Sequence, residues 1–199
     1  MKIVLIGATG MIGKAVSNEL KEHEIISAGF KNGQYQVDIE NRDSIEAMFE
    51  DVGQVDAVIS TTGLIAFAPL NELTIEQFRM TINNKILGHI NLLQIASQYI
   101  RDGGSITFTS GYVAQNPMPG SSSVSLVNAA LDAFVKAAAL ELGSKLRINT
   151  VSPRFVKETM TLMGMDSTDG VSAADTANAY RHAIESNETG KAFDVVDYI

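Results

Sequence analysis

The 199-residue chain predicts a three-layer α/β fold, a mostly parallel, doubly wound sheet with helices on both faces. Three observations carry that expectation. Short β-rich runs alternate with segments whose apolar residues recur at helical spacing. The first such run breaks into a glycine-rich turn that opens a helix. The length fits one domain, residues 1–199, and no linker, repeat or low-complexity stretch divides it.

Taken in order, Lys2–Ile6 ends an apolar run at glycine and reads as a strand buried on both faces. Ile12, Val16 and Leu20 recur at spacing four, the stripe of a first helix. Glu24–Gly29 reads as strand two. Only Phe30 to Gln34 separate it from the next strand, 35–38, where a parallel crossover normally needs about a dozen residues. Two readings compete there: a short parallel third strand whose preceding helix is missing or minimal, or a local hairpin on Asn32-Gly33. The alternating pattern elsewhere favours the first. A helix follows over 43–52, with Ile45, Met48 and Phe49 on one side, then a strand over Val55–Ser60. Thr74-Ile75-Glu76-Gln77 has the form of a capping box opening a long helix from Ile75 to Ile100. Ser105–Ser110 reads as a strand, 123–142 as a second long helix, and 147–152 as a strand stopped by Pro153. A helix over 172–186 and a strand over 192–196 complete the chain.

Composition excludes several function classes. The chain has 15 Lys and Arg against 23 Asp and Glu, a net charge of −8. That balance argues against nucleic acid or an anionic membrane as partner, since phosphate neutralisation needs clustered cations. Without cysteine there is no disulfide framework, thiol nucleophile or thiolate metal site. The three histidines, His23, His89 and His182, offer no metal-ligand spacing, so no metal is expected. The N-terminal apolar run is too short for a signal peptide. The longest uncharged stretch, 103–131, is broken by Gly, Pro, Ser and Asn and is not expected to span a bilayer. A cytoplasmic protein is expected.

Gly7-Ala8-Thr9-Gly10-Met11-Ile12-Gly13 lies between the first strand and the first helix, where a dinucleotide pyrophosphate meets a helix N-terminus. Gly7 permits the tight turn, Gly10 lets amides approach the phosphates, and Gly13 lets helix and strand pack closely. The expected ligand is a nicotinamide dinucleotide. At the end of strand two stands Gly29-Phe30-Lys31, with no acid to accept from the ribose hydroxyls, and Lys31 leans the expectation toward NADP over NAD.

These features resemble the short-chain dehydrogenase/reductase family over nearly the whole chain, which implies a Rossmann fold. Gly7 and Gly13 match the outer glycines of its cofactor motif, with the middle one displaced by one position. Asp38 and Ile39 resemble its adenine-binding segment, and Thr61-Thr62-Gly63 stands where the family has Asn-Ala-Gly against the adenosine ribose. The 147–153 strand, ending at Pro153, resembles the one leading to the nicotinamide. Residues 129–134 and 139–142 resemble the helix after the active site. Against the family the chain reads as trimmed, before strand three, over 159–171 and after the last strand.

The resemblance implies an Asn-Ser-Tyr-Lys active site, and this chain lacks it. Lys85, Gly111, Val124 and Asn128 stand at the four places. Tyr112 is followed four residues later by Asn116, not lysine, and no Tyr-x-x-x-Lys occurs anywhere. The pattern is similar to an atypical subgroup that keeps the glycine motif without the usual catalytic residues. Arg154 also replaces the glycine usual after Pro153.

Lys85, Ser110, Tyr112 and Asn128 are the candidates for a rebuilt site. Lys85 would act as proton donor if burial lowers its pKa; the alternative is a lysine bonded to backbone carbonyls or Asn128. His89 reads as an interface residue and Tyr112 as a loop anchor. The expected function is therefore oxidoreduction of a small carbonyl or alcohol with a non-standard site. The alternatives are a dinucleotide sensor without turnover, or a structural protein that no longer binds cofactor. The long helices at 75–100 and 123–142, with small residues at Ala129, Ala130, Ala133 and 137–139, are expected to pair copies into a homodimer or homotetramer.

Overall fold

The computed structural model describes all 199 residues. Seven parallel strands form one sheet, in the order β3-β2-β1-β4-β5-β6-β7. They are β1 (Lys2–Ile6), β2 (Glu24–Gly29), β3 (Tyr35–Gln36), β4 (Val55–Ser60), β5 (Ile100–Thr109), β6 (Leu146–Ser152) and β7 (Ala192–Asp194). Strand order reverses between β1 and β4, so a crevice opens beyond their carboxyl ends, where α/β sheets bind ligands.

Helices cover both faces. α1 (Met11–Glu19) and α7 (Ala173–Glu185) pack on one, around Ile3, Leu5, Ile59 and Tyr180. α2 (Arg42–Val52), α4 (Gly88–Ala96) and α5 (Ser122–Leu142) pack on the other, around Val4, Ile6, Phe49, Ile106 and Phe108. Alternation along the central strands sends successive apolar side chains into the two cores, which is why these strands read as unbroken apolar runs. Arg181 ties α7 to α1 through Glu19.

The third strand pairs parallel to β2, Ala28 with Tyr35 and Gly29 with Gln36, with no helix between them. The hairpin alternative is overturned. The strand is also shorter than the expected 35–38, because Asp38 turns into the Asn41 cap of α2.

Four other features differ from expectation. The long helix ends at Ala96, and Ile100 begins β5, paired with Val55. Its helical spacing continued only because Tyr99 and Ile100 pack on the same core. Before that, the helix is interrupted: α3 (Ile75–Ile82) and α4 are joined by a wider π turn over Asn83–Leu87. The segment read as reduced contains a short helix, α6 (Lys157–Leu162), held by a bridge between Val156 and Val171. The last strand stops at Asp194, whose carboxylate accepts from Val196 N–H and opens a 3₁₀ turn.

α5, which extends beyond the 103–131 stretch, has 21 residues and a mean hydropathy of 1.4 in its most apolar window, long and apolar enough to cross a membrane by length and composition only. Its stripe of Val124, Asn128, Leu131, Val135 and Ala138 is instead buried in the fold.

Candidate dinucleotide and active site

The glycine loop sits at the strand-order reversal. Gly7 has φ +84°, and its N–H donates to Ala28 O at 2.8 Å. A Cβ on Gly13 would fall 2.1 Å from Gly7 O, so no larger residue lets α1 approach the loop. Gly10 caps α1 without a side-chain bond, and the first turn carries no acid. The α1 amides are thus left for an anion beyond the sheet. Thr61 closes the other wall, its N–H and Oγ1 both donating to Ile6 O.

Beside this loop lies a cavity of about 410 Å³ that gathers Phe30, Lys31, Asp38, Ile39 and Thr62. Asp38 is turned inward on itself: one carboxylate oxygen accepts from Glu40 N–H at 3.0 Å. Lys31 makes no ion pair. Asn84 and Glu40, which sequence reasoning missed, complete the wall. Asn84 accepts from Leu64 N–H at 2.7 Å and donates to Glu40 at 2.8 Å, joining three segments. The signal for it was a pair of poor helix formers, Asn83-Asn84, in mid-helix. The π turn there is the device that brings Asn84 and Lys85 inward, and such turns recur at functional sites. A glycine cradle, an uncapped helix and a cavity with a free cation fit a dinucleotide phosphate and its adenosine.

A second cavity, of about 210 Å³, opens at the carboxyl end of β5. Lys85, Gly111, Val124 and Asn128 all line it, with Ser110, Tyr112, Ile12 and Pro153. The other expected cofactor residues flank these two cavities: Gly63 lies against the Lys85 stem, Thr9 near Gly29, and Met11 at the surface.

Lys85 is 6% exposed, and its Nζ donates to Ser110 O at 3.1 Å. Burial lowers its pKa to about 8, against a smaller opposing pull from the Asp132 carboxylate. Asn128 is buried, and its Oδ1 has no hydrogen-bond partner. A Cβ at Gly111 would lie 2.6 Å from Asn128 Nδ2, so asparagine at 128 and a serine at 111 compete for one space. Val124 supplies only an apolar wall. Ser110 Oγ is spent on the Val151 carbonyl at 3.4 Å. Tyr112 stacks under Arg154, whose guanidinium carbon lies 3.7 Å from the ring centre. Arg154 in turn pairs with both Asp194 oxygens, at 3.0 and 2.6 Å, so Tyr112 anchors the loop.

Two expectations about histidines change. His89 is not an interface residue: it is fully buried, with Nδ1 2.8 Å from Lys85 O and Nε2 3.0 Å from Ser60 Oγ. Burial pushes its pKa down to about 3, so it is neutral and fastens α4 to β4. His23 does come together with Glu22 and Glu185, a grouping its sequence spacing conceals. The Arg181 guanidinium binds both carboxylates there, making an ion-pair cluster.

Lys85 and Asn128 thus line one cavity, Lys85 with a bond to Ser110 O and Asn128 with its Oδ1 unpartnered.

Residues 7–195 match the family described as enoyl-(acyl carrier protein) reductase. The protein lin1944 from Listeria innocua is 41% identical, with a TM-score of 0.92 over 98% of this chain and 99% of that one. A small-chain dehydrogenase solved in complex with NADPH is 27% identical, with a TM-score of 0.86 over 98% and 95% of the two chains. An uncharacterised oxidoreductase of Methylorubrum extorquens is 34% identical over 137 residues, 66% of this chain and 55% of its own. The chain spans about half the length of the curated relatives it matches. Sheet order, glycine loop and these matches agree that the chain belongs to the short-chain dehydrogenase/reductase family.

Proposed function

We propose that the chain is an NADP(H)-preferring oxidoreductase that interconverts a small carbonyl compound and its alcohol, with Lys85 as the proton-carrying group. The observation that carries this reading is a buried lysine, Lys85, lining the same cavity as Asn128, whose Oδ1 has no partner. The dinucleotide supplies hydride to the carbonyl carbon when bound. Lys85 donates a hydrogen bond to the carbonyl oxygen and then its proton as charge develops there, leaving a neutral amine that takes a proton from solvent. Asn128 Oδ1 accepts from the hydroxyl so formed and orients it. The α1 amides and Gly7–Gly13 loop hold the pyrophosphate, and Lys31 pairs with a ribose 2′-phosphate.

The protein acts in the cytoplasm as a homodimer at least. A groove of about 380 Å³ between α4 and α5, lined by Leu93, Phe134, Ala137 and Leu142, supports pairing of these helices.

The test is NADPH oxidation across a panel of aldehydes and ketones, with wild type and Lys85→Met compared. Turnover that falls at least about a hundredfold in Lys85→Met is expected. Full turnover in that variant would remove Lys85 from the mechanism. Saturable NADPH binding with no turnover of any carbonyl would leave the sensor reading.

A further inference from the structure

Two segments that frame the Lys85 cavity, 61–71 and 103–131, contain no charged residue. The fold joins their loops. Ala68 N–H donates to Gly120 O at 3.1 Å, and Gly120 lies so close to Phe67 that a Cβ there would sit 2.9 Å from the ring. Between the loops runs an open groove of about 620 Å³, walled by Phe67, Pro69, Leu70, Pro117 and Met118. Phe67, Leu70 and Met118 are 49, 67 and 43% exposed, large apolar side chains left partly in solvent. Groove and cavity have no lining residue in common, but the same two segments contribute to both. The first loop gives Ile65 to the cavity and Phe67 to the groove, and the start of α5 gives Val124 to one and Ser121 to the other.

Volume and charge together identify an occupant. Pockets for small molecules usually exceed about 300 Å³. The Lys85 cavity is smaller than that, and on the proposed reading it must also admit a nicotinamide ring. A substrate body therefore extends outside it. A carboxylate or phosphate in the groove would lose hydration against no cation. Arg154, which lines the Lys85 cavity, is already held by Asp194 and Tyr112.

We infer that the groove holds the uncharged apolar body of the substrate, an alkyl or aryl carbonyl compound whose C=O reaches Lys85. This rests on the reading of the Lys85 cavity as a carbonyl-reducing site. The experiment compares methyl nonyl ketone, acetone and levulinate as substrates with NADPH. The expected kcat/KM is at least about tenfold higher for methyl nonyl ketone than for either of the others. Met118→Asp is expected to reduce the methyl nonyl ketone to acetone ratio about tenfold. Equal rates, or preference for levulinate, would overturn the inference. So would a Met118→Asp variant that dissociates oligomers without changing that ratio, which assigns the groove to a second copy. If no ketone turns over, the carbonyl-reducing reading fails separately, and the Met118 methyl resonance decides the groove. With NADPH bound, a saturable shift on adding methyl nonyl ketone and none with levulinate supports the apolar site. No shift with the ketone overturns it.

Discussion

On the proposed function, Lys85 is the residue on which chemistry and stability oppose one another. Its folded pKa of about 8 lies below the ordinary 10.5, so the fold disfavours the ammonium. That cost is present in full below about pH 8 and vanishes above about pH 10.5, where both states are neutral. Two and a half units correspond to about 3 kcal/mol, of which the lost bond to Ser110 returns about 1 kcal/mol on substitution. Lys85→Met is thus expected to be more stable than wild type by about 2 kcal/mol at pH 7, with the difference shrinking above pH 8, as urea unfolding at several pH values will show. Carbonyl reduction needs the ammonium form, so kcat/KM should be level below pH 8 and fall above it. Lys31 gives the second residue-scale prediction. Lys31→Glu should reverse the preference between NADPH and NADH by at least about tenfold in Kd, because a carboxylate repels a 2′-phosphate and accepts from a ribose hydroxyl.

At the scale of elements, the π turn over Asn83–Leu87 controls the site. It aims Lys85 at Ser110 and lets Asn84 fasten Leu64 and Glu40. Asn84→Ala leaves Leu64 N–H without that partner, so a loss of about 1–2 kcal/mol in thermal unfolding is expected, together with weaker dinucleotide binding. The strands and most helices were legible from apolar spacing, since Ile3–Ile6 or Ile45, Met48 and Phe49 leave few alternatives. The π turn was not, because its extra residue falls at Asn83-Asn84-Lys85, where no apolar stripe marks the register. The end of the long helix at Ala96 was hidden for a related reason: Tyr99 and Ile100 continue the helical spacing while belonging to a turn and a strand. Lys85 and Asn128 were legible as residues at the right positions. Their burial, and the missing partner of Asn128 Oδ1, depend on packing between α4, α5 and β5 that no local pattern encodes.

At the scale of the molecule, the cofactor loop, the 410 Å³ cavity and the Lys85 cavity line up along the carboxyl edge of one sheet. Elsewhere α4 and α5 border a groove lined by Leu93, Phe134, Ala137 and Leu142. Phe134→Glu should convert a dimer to a 21.4 kDa monomer in sedimentation at micromolar concentration, whereas a wild type that sediments as a monomer would remove this interface. The central claim is that this edge is a working dinucleotide site. Calorimetric titration with NADPH, NADP⁺, NADH and NAD⁺, for wild type and Gly13→Ala, tests it most directly. Saturable binding, tighter for NADPH than for NADH, is expected for the wild type, with loss of binding in Gly13→Ala. No heat from any of the four at millimolar concentration would contradict it.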